Sequence, residues 1–124
     1  MISPRVRAMV QEKPVELTPS AHGKRRRLII DQFNECLIEY RFSTEPDLWL
    51  VETGYAVPES DAAALIAWAW MEKLMHDYAL VQCRQLASDL FSVYVGRREY
   101  SAPSLLDALA EAVEASNAPV EGGR

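Results

Sequence analysis

Histidine and cysteine are almost missing from this 124-residue chain, which has two of each: His22, His76, Cys36 and Cys83. A zinc site gathers such ligands at short, regular spacings, and none of these four falls at one, so no metal is expected. Both cysteines sit inside apolar-periodic segments, where free thiols behave as small buried hydrophobes, so no disulfide framework is expected either. Glycine is also scarce. Gly23, Gly54, Gly96, Gly122 and Gly123 are isolated or terminal, which argues against a glycine-rich phosphate loop and nucleotide-dependent chemistry. His76 is followed by Asp77, but neighbours on a helix point about 100° apart and do not pair as a base with its orienting carboxylate. A histidine near a helix C-terminus is accounted for by the helix dipole. With neither a positioned base nor a nucleophile, no enzymatic activity and no cofactor are expected. Long apolar runs are lacking too. No stretch approaches the ~20 residues of a membrane-spanning helix, and MISPRVRAMVQEKP has no signal-peptide core. A cytoplasmic protein without a membrane partner is the expectation.

What the chain does have is apolar material, 49% of its residues, enough for a real core in one domain of ordinary size. Its charge is unevenly placed. Residues 1–27 carry seven Lys/Arg against Glu12 and Glu16, a net of +5; the whole chain is −5, so the remainder is −10. Pro4, Pro14 and Pro19 deny residues 1–19 a long helix or a central strand. The expectation is a basic flexible arm over 1–19, a single α+β domain over 20–116 and a disordered tail over 117–124, where Asn117, Pro119 and a Gly pair stop the last helix.

Within the domain, Ile29, Ile30, Phe33, Leu37 and Tyr40 follow a helical period. This predicts a first helix over about 20–40, with Asp31, Glu35 and Glu39 on another side. Lys24–Arg27 near its start would oppose the helix dipole. Leu48–Val51 reads as a short strand or an irregular buried segment. Residues 58–78, PESDAAALIAWAWMEKLMHDY, are the strongest local signal. Ser60 is a cap candidate there, Asp61 puts an anion in the first turn, and Ala63, Ile66, Ala67, Trp70, Met71, Leu74 and Tyr78 form one continuous core stripe. Alternation predicts strands at Leu80–Arg84 and Leu90–Val95, the second prolonged towards Tyr100 past a bend at Gly96. A third helix starts from Ser101 or Ser104, with Leu106, Leu109, Ala110 and Val113 inward and Asp107, Glu111 and Glu114 opposite. The sum is three helices packed on a short antiparallel sheet of two or three strands.

Three surface features are candidate sites. Leu65, Trp68 and Met75 fall outside the core stripe of the second helix and form an apolar ridge suited to a protein partner or a second copy of the chain. A further layer of the same domain would account for them equally. Lys24, Arg25, Arg26 and Arg27 could contact nucleic-acid phosphates, giving affinity without sequence reading. They could as well lie on the acidic body, since exposed charges attract within a Debye length of ~8 Å. Asp107, Glu111 and Glu114, with Asp31, Glu35 and Glu39, could imitate spaced phosphates for a basic cleft on a partner, or be ordinary solvated helix faces. Trp49, between Leu48 and Leu50, is expected in the core.

Residues 54–74, GYAVPESDAAALIAWAWMEKL, resemble a stretch of the phage ABA sandwich family. These are small phage and prophage accessory proteins in which a helix and a Trp-containing link precede an Ala- and Trp-bearing helix ending in Glu-Lys. Two short strands and an Ala- and Leu-rich last helix, here Ser104–Ala115, continue the likeness, which runs over about residues 26–116. It departs at the basic arm, at PESD where a Tyr-Ser-Thr-Asp lead-in is nearer the family, and at Leu86–Asp89. The resemblance implies a fold and a phage or prophage source, and it carries no functional residue, because the family has no assigned activity. The functional expectation is a non-enzymatic accessory protein acting by protein–protein contact, for instance by inhibiting a host protein. The alternatives are a nucleic-acid-binding accessory protein using the basic arm, and a structural homodimer.

Overall fold

The structure, a computed structural model, describes residues 2–21, 23–52 and 54–117. Its elements in chain order are α1 (Pro4–Glu12), β1 (Val15–Ala21), β2 (Lys24–Ile30), β3 (Cys36–Phe42), β4 (Leu50–Val51), α2 (Glu59–Asp77), β5 (Val81–Ala87), β6 (Leu90–Val95), β7 (Arg98–Ala102) and α3 (Leu105–Asn117). This is an α+β chain with three helices and two antiparallel sheets, one of four strands in the order β1-β2-β3-β4 and one of three in the order β5-β6-β7. The residues gather in two compact units, 1–69 and 70–124, divided within α2. His22 and the tail from residue 118 lie outside the described residues.

In the first unit Ser3 caps α1 by accepting from the Val6 N–H at 3.3 Å, and Pro4 opens the first turn, where its missing N–H costs nothing. Val6 and Val10, one turn apart, are fully buried, and Ile2 is buried as well. α1 packs on β2. The segment expected as a flexible arm is therefore a helix and a strand. Its prolines fit that arrangement: Pro4 starts the helix, Pro14 separates it from β1, and Pro19 lies in an edge strand whose pairing with β2 is interrupted between Leu17 and Ala21. Arg7 ties α1 to its surroundings through Glu59 Oε2 at 2.7 Å and the Asn34 carbonyl at 3.1 Å.

The helix expected over 20–40 is instead the β2–β3 hairpin. Of the residues spaced by three and four, Ile30 and Tyr40 fall on one face of the hairpin and Ile29 and Leu37 on the other, and the buried face is that of Leu28, Ile30 and Cys36 with Val15 and Leu17 of β1. The turn chemistry decides between the two periods. Asp31 Oδ1 accepts from the N–H groups of Phe33 and Glu35, both at 2.9 Å, and Asn34 takes φ 61°, a left-handed conformation that asparagine tolerates and a helix does not contain. Asp31 and Glu35 thus belong to a turn and Glu39 to a strand, so they form no acidic helix face. The short strand expected at Leu48–Val51 is reduced to Leu50–Val51, paired with β3.

In the second unit β5, β6 and β7 form an antiparallel meander with α3 packed on β6 and β7. Residues 97–100, expected to prolong the preceding strand, turn back instead into β7. Gly96 takes φ 61° in the two-residue loop between Val95 and its partner Arg98, the positive φ that a tight hairpin needs. Val93 and Val95 are buried on one face of β6, with Phe91 half-buried beside them in the alternation. Ser92 belongs to the other face and is fully buried too: its hydroxyl donates to Glu99 Oε2 at 2.8 Å and lies 2.7 Å from Ser101 Oγ. Ser104, not Ser101, caps α3, accepting from the Asp107 N–H at 3.1 Å. Leu106, Leu109, Ala110 and Val113 are buried as expected, joined by Ala108 and Ala112.

α2 is the long helix the sequence announces. The Pro58 carbonyl accepts from the Ala62 N–H at 2.9 Å, so the helix starts before Ser60, which lies within it and does not cap it. Its buried line is Ala62, Ile66, Trp70 and Leu74, one residue in four, while Ala63, Ala67 and Met71 are half-buried and Tyr78 is exposed. The helix is apolar around most of its circumference, and periodicity alone does not choose among overlapping stripes. Among the described residues no helix is long and apolar enough to cross a membrane.

Candidate functional site

α2 is continuous, so the relation among its own side chains follows from helix geometry. Trp68 and Met75, seven residues apart and hence on one side, are 60% and 57% exposed. Ala64, one turn before Trp68, is exposed on that side as well. Leu65, about 60° round the helix from Trp68, is half-buried. The ridge expected from the sequence therefore reaches the surface at Trp68 and Met75, with Leu65 on its flank. Single exposed apolar residues are ordinary, but a tryptophan with this much ring in water holds a sizeable reserve. Covering the open part of a side chain that buries ~200 Å² gives on the order of 3 kcal/mol at ~25 cal/mol per Å².

The four cations Lys24–Arg27 lie on β2, an interior strand, and alternate between its two faces. On one face Arg26 grips Glu52 with two hydrogen bonds, Nε to Oε2 at 2.7 Å and Nη2 to Oε1 at 3.0 Å. Lys24 sits 3.9 Å from the same carboxylate and 4.4 Å above the Tyr40 ring. On the other face Arg25 forks onto Glu16, and Arg27 bonds Glu39 at 2.8 Å with its guanidinium 3.9 Å above the Trp49 ring. A run that reads as a cationic patch in one dimension is divided and neutralised in three. The partners Glu16, Glu39 and Glu52 were legible only with the hairpin register, which sets Arg27 directly opposite both Glu16 and Glu39. Trp49, expected in the core, is half-buried and serves as a stacking surface, and its neighbours Leu48 and Leu50 are exposed.

The acidic candidates of α3 are less uniform than their spacing suggests. Asp107 is half-buried and accepts from the Ser104 hydroxyl at 2.7 Å, a capping role; Glu111 is half-buried and Glu114 exposed. Burial pushes both the Cys36 and the Cys83 thiols up from their ordinary range, the direction that makes a thiol less reactive.

Two carboxylates in the first unit are held below their usual range. Glu52 is lowered chiefly by its hydrogen bond from Arg26, and Glu59 by the Ile2 N–H, then by Arg7. A carboxyl with a depressed folded-state pKa contributes stability above its unfolded pKa and loses it as pH falls through the folded value. Stability is therefore expected to decline on acidification from the ordinary carboxylate range downwards. Glu52→Gln and Glu59→Gln should each lower stability at neutral pH and flatten that decline in denaturant titrations run from neutral to acid pH; an unaltered acid limb in both variants would contradict the assignment.

Compared with protein-family models, with curated proteins and with solved structures, the chain matches none.

Proposed function

We propose that this chain is a non-enzymatic accessory protein that works by laying the outward side of α2 on an apolar surface of another protein. The observation that carries this reading is the exposure of Trp68 and Met75 on one side of a helix whose opposite side is fully buried at Ala62, Ile66 and Leu74. Tryptophan supplies a large contact area for the loss of only two side-chain rotations, and is enriched at the energetic centres of interfaces. In the form suggested by the resemblance of residues 54–74, the partner is a host protein inhibited by a phage-type factor in the cytoplasm. The nucleic-acid alternative is weaker, because each cation of Lys24–Arg27 already has a carboxylate within ion-pair distance.

The test is a photo-crosslinking amino acid placed at position 68 in the source cell, with position 97 in the β6–β7 turn as control. A discrete adduct at 68 that is absent at 97 and lost on adding Met75→Glu is expected. An adduct of twice the chain's mass would identify the partner as a second copy and make the protein a homodimer. No adduct at 68 from a folded, expressed chain would contradict the proposal.

A further inference from the structure

The open face of the four-stranded sheet holds a cationic constellation that α2 does not involve. Arg25 and Arg27 share that face by alternation, and Arg41 of β3 stands directly opposite Arg25 in the register. Like charges set opposite one another on neighbouring strands repel. Together with Pro14, Glu16 and Trp49, the three arginines line a cavity of about 160 Å³. Arg25 has Glu16 and Arg27 has Glu39. Arg41 is different. Its Nη1 donates to the Pro46 carbonyl at 3.0 Å and its guanidinium lies 5.2 Å from the Trp49 ring centre, yet its buried Nε has no hydrogen-bond partner. Among the described residues no carboxylate forms an ion pair with it.

Guanidinium groups bind oxyanions through paired, charge-assisted hydrogen bonds, and Arg41 is the arginine of this lining without a carboxylate partner. Glu16 and Glu39 answer Arg25 and Arg27, so the positive charge left over at the cavity is that of Arg41. That charge suits an oxyanion. The Pro46 carbonyl fixes one end of the Arg41 guanidinium, and Trp49, stacked under Arg27, supplies a stiff wall, so little ordering remains to be done on binding.

We propose that this cavity binds phosphate, free or as a small phosphate monoester, held by the Arg41 guanidinium against Trp49, with Arg25 beside it. The full-length chain, labelled with nitrogen-15, is titrated with inorganic phosphate and separately with phenyl phosphate at constant ionic strength, and the indole N–H signals of its three tryptophans are followed. A saturable shift of the Trp49 signal, with Trp68 and Trp70 unmoved, is expected. Arg41→Gln should weaken binding by about tenfold or more, the consequence of losing charge-assisted bonds. Arg26→Gln, on the other face, should leave the affinity unchanged. Tighter binding of phenyl phosphate would assign a monoester, and equal binding the free ion. Should Arg41→Gln fail to fold, Arg41→Lys, which keeps the charge and loses the fork, carries the comparison and must also bind more weakly. A shift that chloride or acetate reproduces equally, or an affinity unaltered in the Arg41 variant, would overturn the site.

Discussion

Val10→Asp should destabilise the first unit by roughly 3–5 kcal/mol, the penalty for an uncompensated buried charge. A typical domain has only ~5–15 kcal/mol in total, so this is a large fraction of what holds it folded. Val10 has no exposed surface and lies one turn from Val6, which has none either. Its neighbour in charge, Arg7, already holds Glu59 at 2.7 Å. Ala8→Asp is the matched control, on an exposed position of the same helix, and should stay within about 0.5 kcal/mol of the parent. Equilibrium denaturation of the two variants measures both. Equal, small effects would mean that residues 1–13 do behave as a loose arm and that α1 is not part of the core.

Ile66→Ala should cost about 2–5 kcal/mol, the range for truncating a fully buried aliphatic side chain and leaving a cavity. Ile66 is fully buried at the middle of α2, in line with Ala62, Trp70 and Leu74. Alanine is the better helix former by a few tenths of a kcal/mol. Any loss in this variant therefore understates the packing contribution of the isoleucine.

Much of this behaviour was legible from the sequence after residue 58 and little before it. α2 is legible as a helix though not in its choice of stripe, while the two strands after it and α3 each show one dominant period, with which local chemistry agrees: Ser104 caps, Gly96 bends, Val93 and Val95 alternate with residues of the other face. Before residue 58 two periods compete over the same residues. Ile29, Ile30, Phe33, Leu37 and Tyr40 satisfy a helix by spacing, but Phe33 is in a turn and exposed, and the strand reading gains cross-strand ion pairs that spacing cannot display. The turn itself was visible as Asp31 and Asn34, residues that bond locally to the backbone and accept left-handed geometry. Prolines misled in the opposite sense. Pro4, Pro14 and Pro19 read as breakers in sequence, whereas one opens a helix and the other two fall at a junction and on an edge strand. The basic run leaves nucleic-acid contact and docking on the acidic body both open in sequence, because its partners are distant there, Glu52 being 26 residues from Arg26. Of the expected ridge Leu65, Trp68 and Met75, the last two are exposed and Leu65 is half-buried, and the buried line of α2 includes Ala62 and excludes Tyr78.

The division of α2 into a structural side and a contact side is tested most directly by measuring the unfolding free energy of Trp68→Ala beside that of Ile66→Ala. Two residues apart on one helix, they differ from 60% to no exposure. Trp68→Ala should fall within about 0.5 kcal/mol of the parent, or slightly above it given the helix preference of alanine, while Ile66→Ala loses several times as much. A loss in Trp68→Ala as large as that in Ile66→Ala would contradict this division: the indole would then be holding the fold together, and α2 would have no tryptophan to offer a partner.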